Sequence, residues 1–167
     1  MELPFSITCD LGSEAATAAV AARVAPRLVA GDTLLLSGPI GAGKTHFARS
    51  LIRTRLRAAG RDEDIPSPTF TLVQTYTDGA VEIWHADLYR LSHPDEVIEL
   101  GLDDAFRSAI VLVEWPDRLA ADAPHGALHL DFRPGPNEQA RRLAISSEDP
   151  SWHRRLDGVL PAEAPHE

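Results

Sequence analysis

The sequence predicts a three-layer α/β fold with a mixed, mostly parallel central sheet and an antiparallel hairpin. Three observations carry that expectation. Two short unbroken apolar runs, Thr33-Leu34-Leu35-Leu36-Ser37 and Ala109-Ile110-Val111-Leu112-Val113, have the pattern of strands covered on both faces. Helical stretches alternate with the strand-like ones. Asp78-Gly79 separates two strand-like segments, a strong hairpin signal. At 167 residues the chain has room for one core, so residues 1–160 are expected to form one domain. Residues 161–167, rich in Ala, Pro and Glu, are expected to be a flexible tail.

In chain order, Phe5 to Asp10 is short and strand-like. Ser13 is a plausible N-cap for an alanine-rich helix reaching Ala30, with Pro26 near its end and Gly31 stopping it. After the first apolar strand comes a glycine-rich turn, then a helix from about Lys44 to Ala59 with Gly60 as its C-terminal cap. Arg61 to Pro68 reads as a loop, and Phe70 to Tyr76 and Val81 to Leu88 as the hairpin strands. Short helices are expected over His93 to Leu100 and Asp103 to Arg107. Strands follow over Ala109 to Val113, Ala127 to Phe132 and Arg142 to Ser146, and a last helix over Ser151 to Leu160.

Composition narrows the chemistry. The single cysteine, Cys9, excludes an internal disulfide and any Cys-built metal site, and its apolar setting predicts a buried, inert thiol. A formal net charge of -9 gives the surface as a whole no attraction for nucleic acid, so RNA contact would need a local basic patch or a partner. No basic-then-apolar leader opens the sequence and no apolar run approaches the ~20 residues of a membrane helix. The expected address is cytoplasmic, with no membrane contact.

Gly38-Pro39-Ile40-Gly41-Ala42-Gly43-Lys44-Thr45 satisfies the spacing G-x-x-x-x-G-K-[ST]. Backbone N–H groups can turn inward around a polyphosphate only where bulky side chains are absent, hence the glycines. The helix that follows points its unpaired N–H groups and the positive end of its dipole at the anion. Lys44 would place a charge on the β- and γ-phosphates, and the Thr45 hydroxyl would ligate Mg²⁺. Pro39 cannot donate a backbone hydrogen bond, but it precedes the residues that normally contact phosphate. The motif follows an apolar strand and opens a helix, the setting it requires, so the fold is expected to be P-loop NTPase-like.

Such a loop needs a carboxylate at the end of a neighbouring strand. Glu114 follows the second apolar run and should emerge at the sheet's carboxyl edge. Asp87 closes the hairpin's second strand, where Val81, Ile83, His85 and Asp87 share a face. Glu114 is assigned to the magnesium and Asp87 to orienting the attacking water or supporting the metal shell; sequence alone lets these roles exchange. Thr69, in Ser67-Pro68-Thr69-Phe70-Thr71, occupies the position of a γ-phosphate sensor in other P-loop switches, and equally suits an ordinary threonine opening a strand. His85 fits the core as readily as the site. Trp115 is most simply a rim or core aromatic. Arg49, Arg53 and Arg57 form a basic stripe that reads first as a solvated face and second as a docking patch.

Three segments together resemble the bacterial TsaE (YjeE) family, the ATPase partner in tRNA threonylcarbamoyladenosine synthesis. They are GPIGAGKTHF at the loop, SPTFTLVQTY from Ser67 to Tyr76, and HADLYRL from His85 to Leu91 followed by VEWPDRL at Val113 to Leu119. Ser13-Glu14-Ala15-Ala16-Thr17 also resembles that family's opening helix. The resemblance covers most of Ser13 to Arg133. It implies a weak ATPase that works with the TsaD and TsaB proteins, meets tRNA only through them, and binds ATP and Mg²⁺. By motif, Gly41, Ala42, Gly43, Lys44, Thr45 and His46 would hold phosphate, with Thr17 near the nucleotide. Thr45 and Glu114 would hold magnesium, and Asp87 and Thr69 would support hydrolysis. Two departures stand out: Pro39-Ile40 replaces the family's Asp-Leu, and His46 replaces a Thr or Ser that can reach the α-phosphate. The competing classes are a small-molecule kinase, which needs an arginine-bearing lid, and a nucleotide-binding subunit without turnover. The absence of an Asn-Lys-x-Asp motif favours ATP over GTP.

Overall fold

The computed structural model describes residues 3–93 and 95–160, so the expected tail at 161–167 lies outside the described residues. The sheet has seven strands among them: β1 (Phe5–Leu11), β2 (Thr33–Ser37), β3 (Val73–Thr77), β4 (Glu82–Asp87), β5 (Ile110–Glu114), β6 (Leu128–Pro134) and β7 (Arg141–Ser147). Their spatial order is β1-β7-β6-β2-β5-β4-β3. The middle strands β6, β2, β5 and β4 run parallel, while β7 and β1 at one edge and β3 at the other are antiparallel to their neighbours. The helices are α1 (Glu14–Val24), α2 (Lys44–Ala58), α3 (Glu96–Glu99), α4 (Leu102–Ser108) and α5 (Trp152–Arg155).

Both apolar runs are central strands, which explains their lack of polar alternation. Leu34 and Leu36 point to one core with Phe47, Leu51 and Ile52 of α2 and Val20 and Val24 of α1. Leu35 faces the opposite core with Val111, Val113, Val97, Leu102 and Ala105. Two apolar layers on opposite faces of one sheet make the expected three-layer fold.

Local chemistry sets the element ends. The Ser13 hydroxyl accepts the Ala16 N–H at 3.1 Å and caps α1. That helix stops at Val24, earlier than the expected Ala30, because Pro26 brings no N–H to the ladder; Ala25–Arg27 form a 3₁₀ turn instead. Helix α2 ends on Gly60 at φ 74°, with the Gly60 N–H on the Arg57 carbonyl and the Arg61 N–H on the Leu56 carbonyl. Between β3 and β4, Asp78 Oδ1 accepts from the Ala80 and Val81 N–H groups, both at 2.9 Å.

Three further expectations need correction. The strand predicted from Phe70 begins at Val73, because the Leu72 N–H bonds the Pro68 carbonyl at 2.7 Å and Leu72 takes φ 69°, closing a turn that leaves Phe70 85% exposed. The final helix covers only Trp152–Arg155, with Gly158 at φ 73° in the turns beyond it. Helix α3 is shorter than His93 to Leu100, and residue 94 in that span lies outside the described residues.

Cys9 is fully buried in β1, and burial first, then Asp10, pushes its thiol up from 9.0 to about 11. The native thiol therefore stays protonated where the unfolded one ionises, and stability falls as pH rises from about 9 towards about 11. A Cys9→Ala variant is expected to lose that part of the alkaline decline in pH-dependent urea unfolding; an unchanged decline would contradict it. Gly38 has φ 141°, and a Cβ there would stand 2.5 Å from the Phe132 carbonyl oxygen of β6. Gly38→Ala is expected to destabilise by about 2–5 kcal/mol, whereas Gly12→Ala, which meets nothing within 4 Å, should change urea midpoints little.

Candidate functional site

The loop between β2 and α2 lies at the carboxyl edge of the parallel strands, where α/β folds carry their ligands. It opens onto a cavity of about 440 Å³, within the range of small-molecule sites. Gly41 and Gly43 take φ 78° and 105°, and a Cβ on Gly41 would meet nothing within 4 Å, so that side of the loop is an open cradle.

Lys44, at the start of α2, is only 5% exposed. Its ammonium donates to the Gly38 carbonyl and, at 3.2 Å, to that of Pro39, and lies 3.9 Å from the centroid of the Trp115 ring. Burial lowers its pKa, while Glu114, Asp87 and Asp117 act to raise it. The Thr45 hydroxyl donates to Glu114 Oε1 at 2.5 Å. The other carboxylate oxygen, Oε2, lies 2.7 Å from His85 Nε2. His85 is fully buried and its Nδ1 has no partner, so the proton sits on Nε2 and is donated to Glu114. This core histidine is therefore also a support of the site.

Asp87 pairs in register with Glu114 across β4 and β5 and is 6% exposed. Its Oδ1 accepts the Tyr89 N–H at 3.0 Å, and its Oδ2 lies 3.4 Å from the Thr69 hydroxyl, which also bonds Ser67 Oγ at 2.8 Å. Thr69 thus faces the site from the turn before β3 and does not open a strand. Thr17 lines the same cavity with its hydroxyl donating to the Ser13 carbonyl at 3.4 Å. His46 Nε2 donates to the Glu14 carbonyl at 3.0 Å, so its side chain joins α2 to α1. Trp115 is a rim residue at φ 59°, its ring 4.9 Å from that of Tyr89.

Several cavity-lining residues, Tyr89 and Arg141 among them, are not marked by the sequence as site residues. Arg141, the first residue of β7, donates from Nε to the Ala42 carbonyl and from Nη2 to the Gly41 carbonyl, both at 2.9 Å. It is 99 and 100 residues from those partners, and no local pattern announces such a contact. The stripe of Arg49, Arg53 and Arg57 lies away from the cavity, in a groove shared with Asp62, Glu63 and Asp64, where the acidic side chains offset its charge.

The donor set suits a hard cation: a hydroxyl and one or two carboxylates, the number Mg²⁺ takes when phosphate oxygens and water complete its shell. Among the described residues no cluster of three His, Cys, Asp or Glu side chains forms a self-sufficient metal cage. None of the described helices is long and apolar enough to cross a membrane.

Fold and loop together define the class: a P-loop NTPase-like α/β protein. Within that class, the chain belongs to the TsaE family. Residues 11–143 match the family described as "Threonylcarbamoyl adenosine biosynthesis protein TsaE". A Rickettsia felis protein named tRNA threonylcarbamoyladenosine biosynthesis protein TsaE is 41% identical over 107 residues, 64% of this chain and 61% of that one. The protein of the same name from Bacillus subtilis is 36% identical over 115 residues, 68% of this chain and 69% of that one. The matched stretch thus spans less than two thirds of the Rickettsia felis relative. The crystal structure of Bacillus subtilis YdiB has a similar fold, with a TM-score of 0.74 over 93% of this chain and 94% of that one at 23% identity.

Removing the imidazole would leave a buried carboxylate oxygen without its donor. His85→Ala is expected to destabilise by about 2–4 kcal/mol in urea unfolding. His85→Gln, which keeps a donor, should cost less, and equal losses would show that packing alone matters.

Proposed function

We propose that this chain is a Mg²⁺-dependent ATPase that supports formation of threonylcarbamoyladenosine beside the anticodon of tRNA, acting on the TsaD–TsaB complex in the cytoplasm. The observation that carries the reading is the convergence of Lys44, Thr45, Glu114, Asp87 and Thr69 on one cavity beneath a glycine-built loop. The names of the relatives support the tRNA-modification role.

In this reading, the amides of Gly41 and of Gly43 to His46 receive the phosphates, the Ala42 N–H being held on the Pro39 carbonyl, with the charge of Lys44 on the β- and γ-groups. Thr45 and Glu114 would hold Mg²⁺, which neutralises charge on the transferring phosphoryl group when bound. Asp87 orients the attacking water. As that water adds to the γ-phosphorus, the bond to the β–γ bridging oxygen breaks, ADP leaves with the bonding electron pair, and the water's proton passes to Asp87 or to the phosphate. Thr69, tethered to Asp87 and Ser67, relays the state of the γ-position to the exposed Phe70. Ile40, Phe70 and Tyr89 are exposed large apolar side chains on the loop and near the cavity, as suits a face that a protein partner covers.

Among the described residues a kinase lid finds no counterpart: Pro116–Asp122 is a 3₁₀ turn with Leu119 fully buried. Phosphate release from Mg-ATP, low alone and raised by TsaD and TsaB, is the expected result. Stoichiometric phosphorylation of an added small molecule would favour the kinase, and no release even with both partners would favour a subunit without turnover. Lys44→Ala should reduce nucleotide affinity by about a hundredfold or more in calorimetry. Glu114→Gln should weaken binding in Mg²⁺ far more than in EDTA, and equal effects would remove Glu114 from the metal site.

A further inference from the structure

We propose that Arg141 is a positioning residue that orients the phosphate loop and thereby sets the affinity of the chain for polyphosphate. The inference rests on the nucleotide-binding reading above and adds to it a determinant lying outside the motif.

The guanidinium is fixed from behind and grips from the front. Nη1 donates to the Glu138 and Ala140 carbonyls, both at 2.7 Å, anchoring the group to its own β6–β7 hairpin. Nε and Nη2 then reach two consecutive loop carbonyls, Ala42 and Gly41, as a fork. A lysine ammonium cannot reproduce that planar two-point geometry.

What the fork holds is the direction of two peptide planes. In a trans peptide the C=O and the following N–H point to opposite sides. Capture of the Gly41 oxygen turns the Ala42 N–H away from the guanidinium, where it meets the Pro39 carbonyl at 3.1 Å. Capture of the Ala42 oxygen in the same way turns the Gly43 N–H to the side opposite Arg141.

Those planes are flanked by Gly41 and Gly43, residues that rotate freely unless something external holds them. Other bonds act at the start of the loop, where Lys44 holds the Gly38 and Pro39 carbonyls, and within it, where the Ala42 N–H meets the Pro39 carbonyl. Among the described residues, Arg141 is the side chain that bonds the Gly41 and Ala42 carbonyls. Holding them beforehand removes an ordering cost from anion binding. Arg141 also lines the cavity itself, so its charge adds to that of Lys44.

The test uses the full chain with Arg141→Met, Arg141→Lys and Arg141→Gln, titrated by calorimetry with Mg-ADP and with Mg-tripolyphosphate, which has no base or sugar. Arg141→Met is expected to weaken both ligands about tenfold or more, by the same factor, with far-UV circular dichroism unchanged. Arg141→Lys should recover little of the loss, because it restores charge without the fork. Wild-type affinity for tripolyphosphate in Arg141→Met overturns the proposal, as does full rescue by Arg141→Lys, which would reduce the role to charge. Should Arg141→Met not fold, Arg141→Gln carries the same comparison. A wild-type chain that binds neither ligand sinks the nucleotide reading itself, and the proposal with it, whereas normal wild-type binding with unaffected variants sinks the proposal alone.

Discussion

Two carboxylates lie side by side, almost out of water, at the carboxyl edge of the central sheet, and they must be compensated. Glu114 and Asp87 are 2% and 6% exposed and paired in register. Like charges so placed repel, and each has lost most of its hydration. The surrounding groups answer that cost: Thr45 and His85 on Glu114, Thr69 and the Tyr89 amide on Asp87, and the Lys44 ammonium close by. Lys44 is itself disfavoured by burial and leans on the carboxylates for its charge. The ammonium and the hydrogen-bonded carboxylates thus form one cluster.

Strand parity brings that cluster together. On β5, Ile110 and Leu112 face the core containing α2, while Val111 and Val113 face the opposite one. Counting on by two, Glu114 falls on the α2 side, where Thr45 lies in the first turn of the helix. On β4, Ile83 faces the same side, so His85 and Asp87 follow it, while Ala86 faces away. A slip of one residue in either strand would turn these side chains to the wrong face and separate Glu114 from Thr45. The uninterrupted apolar runs thus serve the chemistry as well as the core, because they specify the register on which it depends.

This also explains what could be read from the sequence. The loop motif is local, with its meaning contained in eight consecutive residues, and Glu114 is marked by the apolar run that ends on it. Asp87 follows from the alternation on β4, though its neighbour His85 looked equally suited to the core, and it proves to serve both purposes. The sequence places Thr69 in the loop ahead of the hairpin, as the structure does, but sets the strand start too early: Phe70-Thr71-Leu72-Val73 has strand-like composition, yet the bond from Leu72 to Pro68 makes it a turn. The overlong first helix was an error of the same kind, with alanine propensity outweighing the missing N–H of Pro26. Arg141 was out of reach because its partners lie on the far side of the sequence, brought near only by the β6–β7 hairpin.

The two walls of the cavity are built to different tolerances. On the loop side, His46 bonds to α1 and Arg141 reaches in from β7, while Gly38 packs so close to Phe132 of β6 that no side chain would fit. The wall at Ser67 to Leu72 is a turn anchored at its end, where Leu72 is left-handed and its carbonyl accepts the Asp87 N–H at 2.8 Å, while nearer the tip, beside the exposed Phe70, the Thr69 hydroxyl reaches the Asp87 carboxylate by one long hydrogen bond. A rigid wall suits the part of a nucleotide that does not change between its two states, since holding amides in place lowers the ordering cost of binding. A turn anchored at its base, whose tip meets the carboxylate through one long side-chain bond, suits the part that does, because few bonds need to be exchanged there. In the function proposed above the positions agree with that division: the tethered loop would surround the phosphates, and the tip of the turn meets Asp87 through Thr69, where a terminal phosphate and its water would lie.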